Sequence, residues 1–182
     1  MAWHPDGKKK VIVKNSQLNT VKEKYANEPL RQATLVFLIK DGLILLAMKK
    51  RGFAEGKWNG SGGKPKPEDK TIEATAKREM FEETMVSPIK LKKVAILNFF
   101  FSEKSEWNQQ VVVFTTNEWS GIPTETEEMA PKWFQTKHIP YDEMWEDDAL
   151  WLPKVLKGKI VEGSFLFDQN QKMLEHEVIE IA

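Results

Sequence analysis

The chain has 182 residues, 27 of them basic and 27 acidic, with 41% hydrophobic and 30% charged residues, which suits one globular domain, with room for an appendage, that can bury a core and need not be disordered. A formal net charge of zero removes the electrostatic grip that non-specific binding to nucleic acid or to an anionic membrane requires. The absence of cysteine excludes a disulfide framework, a thiolate metal site and a cysteine nucleophile.

Residues 1–31 read as an N-terminal arm of uncertain order, with Val11-Ile12-Val13 a short strand at most and Pro29 as an interruption. The start, Met1 to Lys10, has no apolar stretch of the kind a secretory signal needs, so a cytoplasmic protein is expected. Leu35 to Ile39 and Leu43 to Met48 read as two buried strands around an Asp41-Gly42 turn. The second of these is the longest apolar run, far short of the roughly 20 residues a bilayer span takes. Residues 52–70 hold five of the ten glycines together with Pro65 and Pro67, and read as one long loop. Thr71 to Thr84, without Gly or Pro, is a predicted helix. Strands are expected at Val94 to Phe101 and Val111 to Thr115, with a short stretch at Trp133-Phe134. Pro140 to Leu152 reads as loop then helix, stopped by Pro153, and Ser164 to Phe167 with Val178 to Ile181 as a closing hairpin. The pattern predicts an α+β domain over 32–182, a mixed β-sheet sandwiched between helices (α/β/α).

Chemistry concentrates in Arg78-Glu79-Met80-Phe81-Glu82-Glu83. At about 100° per residue the three glutamates share one helix face, where Glu79 and Glu83 repel unless something positive sits beside them. A hard divalent cation suits oxygen ligands, and Mg²⁺ prefers a few carboxylates plus substrate phosphates to a full protein cage. Arg78 stands four residues before Glu82 and can orient its carboxylate. Taken alone, such a triplet more often marks a solvated acidic face. Gly62-Gly63-Lys64 upstream changes the balance, because a glycine loop feeding a carboxylate helix suits a metal and a polyphosphate. Pro65 after Lys64 excludes a Walker A loop.

Gly63 followed by Arg78-Glu79-Met80-Phe81-Glu82-Glu83-Thr84-Met85-Val86 resembles the Nudix box. The spacer is one residue longer than the family's, Lys70 stands where a Glu is usual, and Met85 replaces the final Gly. A helix-ending left-handed residue there would cost roughly 1 kcal/mol for a non-Gly side chain. Further segments from about Ala33 to Ile181 are similar to the MutT homologues that hydrolyse oxidised purine nucleoside triphosphates. These are Met48 to Phe53, Lys57 to Gly60, Gly62 to Lys64, Glu128-Met129, Trp133-Phe134 and Met144 to Asp148.

The resemblance implies substitution at phosphorus by water, releasing monophosphate and pyrophosphate. It implies that Glu79, Glu82, Glu83 and Glu128 bind Mg²⁺, with Mn²⁺ able to substitute, and activate water, with Gly62 also at the metal. Gly62, Gly63 and Lys64 would face phosphate, and Lys49 the sugar or phosphates. Trp145 would stack the base, Phe53, Phe99 and Met129 would wall the pocket, and Thr34 and Asn59 would line it. Asp147 and Asp148 would read the base. Oxidation at C8 of guanine makes N7 a donor, so the site needs an acceptor there, and two adjacent buried carboxylates keep one proton between them. Moving that proton would let one pair accept 8-oxoguanine or 2-oxoadenine. On sequence alone, Glu146-Asp147-Asp148 reads more readily as acidic complementation of a helix start, Glu128 about as readily as a loop carboxylate, and Lys49 more readily as a solvated charge. The remaining tryptophans (Trp3, Trp107, Trp119, Trp133 and Trp151) are given no role. The expected partner is a purine nucleoside triphosphate, with no nucleic-acid polymer, no membrane and a monomeric chain. Methylated or undamaged purine triphosphates, and a non-catalytic nucleotide-binding module, remain open alternatives.

Overall fold

A computed structural model describes residues 16–52 and 54–181. The fold is a mixed sheet with helices on both faces. Helix α1 (Gln17–Lys24) precedes β1 (Arg31–Lys40), β2 (Leu43–Lys49) and β3 (Trp58–Asn59). Helix α2 (Ile72–Thr84) leads into β4 (Ser87–Pro88), β5 (Lys92–Phe101), β6 (Gln109–Thr116), β7 (Trp119–Ser120) and β8 (Met129–Gln135). Helix α3 (Asp148–Leu156), β9 (Val161–Phe167) and β10 (Met173–Glu180) complete the chain. The strand order is β10-β9-β5-β6-β1-β2-β3, with β8 added on β2 and a separate β4–β7 pair. The β1–β6 and β5–β9 pairs are parallel and the other pairs antiparallel.

Asp41 and Gly42 both take positive φ (53° and 75°), the backbone a two-residue type I′ hairpin turn demands. The hairpin closes over only two rungs, Ile39↔Ile44 and Lys40↔Leu43. Beyond them β1 and β2 part, β2 pairing with β8 while Ser61 bridges Val36 of β1. The glycine-rich loop therefore enters a fork between two halves of the sheet, and the cleft described below opens there.

Strand alternation divides the core. Val36, Leu38, Val112 and Phe114 pack against Ala76 and Met80 of α2 on one face. Phe37, Ala95, Val113, Val161 and Phe165 cluster with Trp151, Leu152 and Val155 of α3 on the other. Two elements differ from the sequence reading. Helix α3 continues past Pro153 to Leu156. Proline there removes one intrahelical bond, and burial of Trp151, Leu152 and Val155 outweighs that loss. Within 1–31, read as an arm of uncertain order, α1 is a helix seated on β9 and β10, with Leu18 buried beside Phe100 and Leu166. The Val11-Ile12-Val13 strand lies outside the described residues. Among the described residues no helix is long and apolar enough to cross a membrane.

Candidate active site

Thr71 starts α2 by accepting a hydrogen bond from the Ala74 N–H, and the helix ends at Met85 in left-handed backbone, φ 62°. Met85 thus occupies the conformation that the box's missing glycine would have taken without strain. The helix presents its acidic face to the loop 60–64. Gly62 donates its N–H to Glu83 Oε2 at 3.0 Å. Thr34 holds Gly63 from β1, its N–H donating to the Gly63 carbonyl at 2.8 Å and its hydroxyl accepting from the Gly63 N–H at 3.3 Å. Close approach to backbone requires glycine at 62, and at 63 a side chain would displace the Glu79 carboxylate. A Cβ at Gly62 would lie 2.0 Å from the Thr34 carbonyl oxygen, and one at Gly63 would lie 2.6 Å from the Glu79 carboxyl carbon.

Cations surround the glutamates. Arg78 Nη1 bonds Glu79 at 2.7 Å and Glu82 at 3.0 Å. Lys66 Nζ reaches both oxygens of Glu82, at 3.0 and 3.1 Å, and chiefly for that reason holds its carboxyl below the usual range. Lys49 Nζ stands 3.9 Å from Glu83 and 3.5 Å from Glu128, so it is no idle strand-end charge. Glu128 is about half exposed and also pairs with Arg51 at 3.2 Å. Glu83 is the buried member of the set, and desolvation pushes its carboxyl up to about 7 against the opposing pull of Gly62 and Lys49.

The carboxylate that Lys70 fails to supply comes from Asp69. Arg78 Nε and Nη2 grip Asp69 at 3.0 and 2.7 Å, and Thr75 adds a bond at 3.0 Å. The Arg78 guanidinium holds the Asp69 carboxyl well below the usual carboxylate range. Asp69 also accepts the Lys66 N–H at 2.9 Å while its own N–H bonds the Lys66 carbonyl, so one turn fixes Lys66 and Arg78 together. The sequence signal was available: counted forward from Gly63, Asp69 sits at the family's acidic position, and the extra residue lies between it and Arg78.

Next to this cluster opens a cavity of about 260 Å³ whose lining joins Thr34, Lys49, Asn59, Gly62, Gly63, Lys64, Glu83, Phe99, Met129, Trp145, Asp147 and Asp148. Glu79, Glu82 and Glu128 stand beside the cavity rather than in its lining, and Phe53 lies outside the described residues. Sequence reasoning missed Lys57, Leu97, Phe101, Gln109, Val111, Trp151 and Phe167, all of which line it.

Asp147 and Asp148 are each only 2% exposed. Asp147 stands at the start of α3 but makes no capping bond. Its Oδ2 instead accepts from Trp151 Nε1 at 3.1 Å, and its Oδ1 is buried without a hydrogen-bond partner among the described residues. Asp148 Oδ2 accepts the Trp145 N–H at 3.1 Å. Burial pushes Asp147 up to about 7, and burial together with the Asp147 charge pushes Asp148 well up too. Trp145 stands edge-on to Phe167, and the Lys57 ammonium, bonded to the Met144 carbonyl at 3.2 Å, lies 5.2 Å from the Trp145 ring centre. The spacing of Trp151, one helical turn after Asp147, was the sign that the two side chains meet.

Among the described residues no three acidic or histidine side chains converge tightly enough to cage a metal unaided. The all-oxygen donor set, partly exposed and open to the cavity mouth, fits a hard cation that takes its remaining ligands from phosphate and water.

A NUDIX domain matches residues 29–155. The chain is 42% identical over 151 residues to a mouse protein (Mus musculus) named oxidized purine nucleoside triphosphate hydrolase, an alignment covering 83% of this chain and 96% of that one. It is 40% identical over 148 residues to the zebrafish (Danio rerio) protein of the same name, covering 81% and 94%. Among solved structures, a MutT protein of Bacillus halodurans superposes with a TM-score of 0.73 at 23% identity, over 82% of this chain and 97% of that one.

Proposed function

This chain belongs to the NUDIX domain family and is a Nudix hydrolase, and on that premise we propose that it hydrolyses oxidised purine nucleoside triphosphates to the monophosphate and pyrophosphate. The observation that carries the purine reading is Asp147 Oδ1, a carboxylate oxygen buried without a hydrogen-bond partner among the described residues in the wall of a cavity lined by Trp145, Phe99 and Phe167. An unpaired buried polar atom costs about 1–3 kcal/mol, and a ligand donor aimed at it would recover that cost. The N7–H of an 8-oxopurine is such a donor, whereas undamaged guanine presents a lone pair. With Asp147 and Asp148 both pushed upward, the pair keeps a proton near neutral pH and can exchange donor for acceptor, which suits 2-oxoadenine as well. Asn59 would bond the purine edge and Trp145 would stack the ring.

Glu79, Glu82 and Glu83, with the Gly62 backbone and Glu128, would hold Mg²⁺. When bound, the ion would draw charge from the phosphates and lower the pKa of the attacking water. Arg78, anchored on Asp69, fixes the Glu79 and Glu82 carboxylates, while Lys49 and Lys64 would neutralise the phosphate chain. Thr34 and the missing β-carbons of Gly62 and Gly63 keep the loop close enough for its backbone to meet phosphate. Residues 32–182 would form the catalytic unit, acting as a monomer on free nucleotides in the cytoplasm.

The test is a pyrophosphate-release assay with Mg²⁺, comparing 8-oxo-dGTP and 2-oxo-dATP with dGTP, dATP and O6-methyl-dGTP. A marked kcat/KM preference for an oxidised purine, with monophosphate as co-product, is expected. Turnover without that preference would keep the hydrolase and remove the aspartate reading.

A further inference from the structure

Trp145 lies on neither a helix nor a strand. It stands between the turn Tyr141–Glu143 and α3, and its N–H is tied to Asp148 Oδ2 at 3.1 Å. That bond fixes the backbone; the direction of the indole is set by what its ring touches. Two groups from distant parts of the chain meet the ring. Phe167 of β9 stands edge-on with its centre 6.4 Å away, and the Lys57 ammonium lies over the ring, 5.2 Å from its centre. Lys57 and Trp145 line the same cavity.

Lys57 is half-buried, just ahead of β3, and its backbone is held on both sides. Its N–H donates to the Ala54 carbonyl at 3.1 Å, and its carbonyl accepts from the Lys49 N–H at 3.1 Å. Trp58, next in the chain, is buried against the edge of Phe134. From this base the side chain crosses to a segment 87 residues further on, where Nζ donates to the Met144 carbonyl at 3.2 Å. Lys49, Lys50 and Lys66 each pair with a glutamate, whereas among the described residues Lys57 forms no ion pair. Ion pairing therefore does not account for a lysine here. The Met144 carbonyl and the indole do: one accepts a hydrogen bond, and the other attracts a cation to its face. Both holds act on the same step of the chain, Met144-Trp145, so one ammonium restrains the backbone before the ring and the ring itself.

We infer that Lys57 is a positioning residue that holds the Trp145 indole in the orientation in which it stacks the purine, its ammonium taking one face of the ring and leaving the other to the base. The inference rests on the nucleotide reading proposed above, in which Trp145 stacks the base. A ring oriented before the substrate arrives spares the cost of ordering it on binding. That gain is equal in the ground state and the transition state, so it enters KM and not kcat. A guanidinium at this position would serve as well, since it can donate to the carbonyl and lie on an aromatic face. A thioether of similar length can do neither.

The experiment measures kcat and KM for 8-oxo-dGTP in the full-length protein and in Lys57→Met and Lys57→Arg, with thermal melting as the check on folding. It repeats the Lys57→Met comparison in a Trp145→Leu background. Lys57→Met is expected to raise KM about fivefold with kcat unchanged, and Lys57→Arg to keep the wild-type KM. Without Trp145 the same substitution should change kcat/KM by about twofold at most, because no ring is left to hold. Lys57→Gln, which keeps a donor for the Met144 carbonyl and removes the charge, gives the same test should Lys57→Met not fold. An unchanged KM in Lys57→Met overturns the role of Lys57. So does a lowered KM, which would mean that the ammonium competes with the base for the ring, and so does a loss of the same size in the absence of Trp145. Each of these leaves oxidised-purine hydrolysis intact. If the wild type turns over no purine nucleoside triphosphate, oxidised or not, the nucleotide reading falls, and the positioning role falls with it.

Discussion

At the α2 end of the cleft, Arg78 and Lys66 hold the carboxyls of Asp69 and Glu82 below the usual range; at the α3 end, Asp147 and Asp148 stand among Trp145, Trp151 and apolar walls, where burial drives them toward the protonated form. Two groups of acidic side chains on one cavity are thereby given opposite states. The first group suits a cation and a phosphate chain, since its carboxylate oxygens can ligate the one and the fixed cations beside them can meet the other. The second suits hydrogen-bond recognition, since a carboxyl that holds a proton can donate as well as accept. Glu83 sits between the two regimes, packed like the aspartates yet joined to Lys49 and the Gly62 N–H.

The largest expected effect tests the ionised end. Replacing Glu83 with Gln should lower kcat by about 10³-fold or more while nucleotide binding, followed by calorimetry, persists. Turnover that survived would take Glu83 out of the chemistry.

At the other end, Asp147→Asn should cut the kcat/KM preference for oxidised over undamaged purine by about 10²-fold, read by direct competition. The same variant breaks the comparison by pH. Because the Asp147 pKa is raised, its contribution to stability is complete below the ordinary aspartate range and is lost as pH rises through about 7. Thermal melting of the wild type should therefore fall between about pH 4 and 8 and level off above that, and that of the Asn variant should fall less. Asp69 has the opposite sign, its depressed pKa giving stability above the ordinary aspartate range that disappears under acid.

Asp69→Asn should have an intermediate effect, about a tenfold loss in kcat/KM, because Arg78 would no longer be fixed from behind as it orients Glu79 and Glu82. A shift of the whole acid-melting profile toward neutral pH would accompany it. The smallest effect belongs to Met85→Gly, which removes left-handed strain and adds unfolded-chain entropy, for a net gain of about 0.5 kcal/mol. Differential scanning calorimetry should show a rise of about 1–2 °C with kcat unchanged.

What could be read beforehand follows from how far each feature's cause lies along the chain. The glutamates of α2 and the left-handed Met85 depend on spacing within one helix, and the sequence displays that spacing directly. Gln109, Phe101 and Phe167 enter the cavity through the register of strands that meet only in the folded sheet, and nothing local marks them as lining residues. Helix α1 is the clearest case. Its Ser16 hydroxyl and the N–H groups of Gln17 and Leu18 all turn to Glu175 on β10, so its start is secured by a residue near the other end of the chain. Pro153 shows the converse, since a local rule that normally ends a helix gives way to burial on both sides of it.

The parallel pairs β1–β6 and β5–β9 also bear on how the molecule comes into being on the ribosome. Each joins segments separated by a large part of the chain, and β9 supplies Phe167 to the cavity. A nascent chain that has completed the glutamate helix still lacks Trp145, the aspartate pair and the last wall of the cleft. The carboxylates of α2 are therefore synthesised well before the tryptophan and aspartates across the cleft from them, and the cavity is closed only as the final strands emerge and dock.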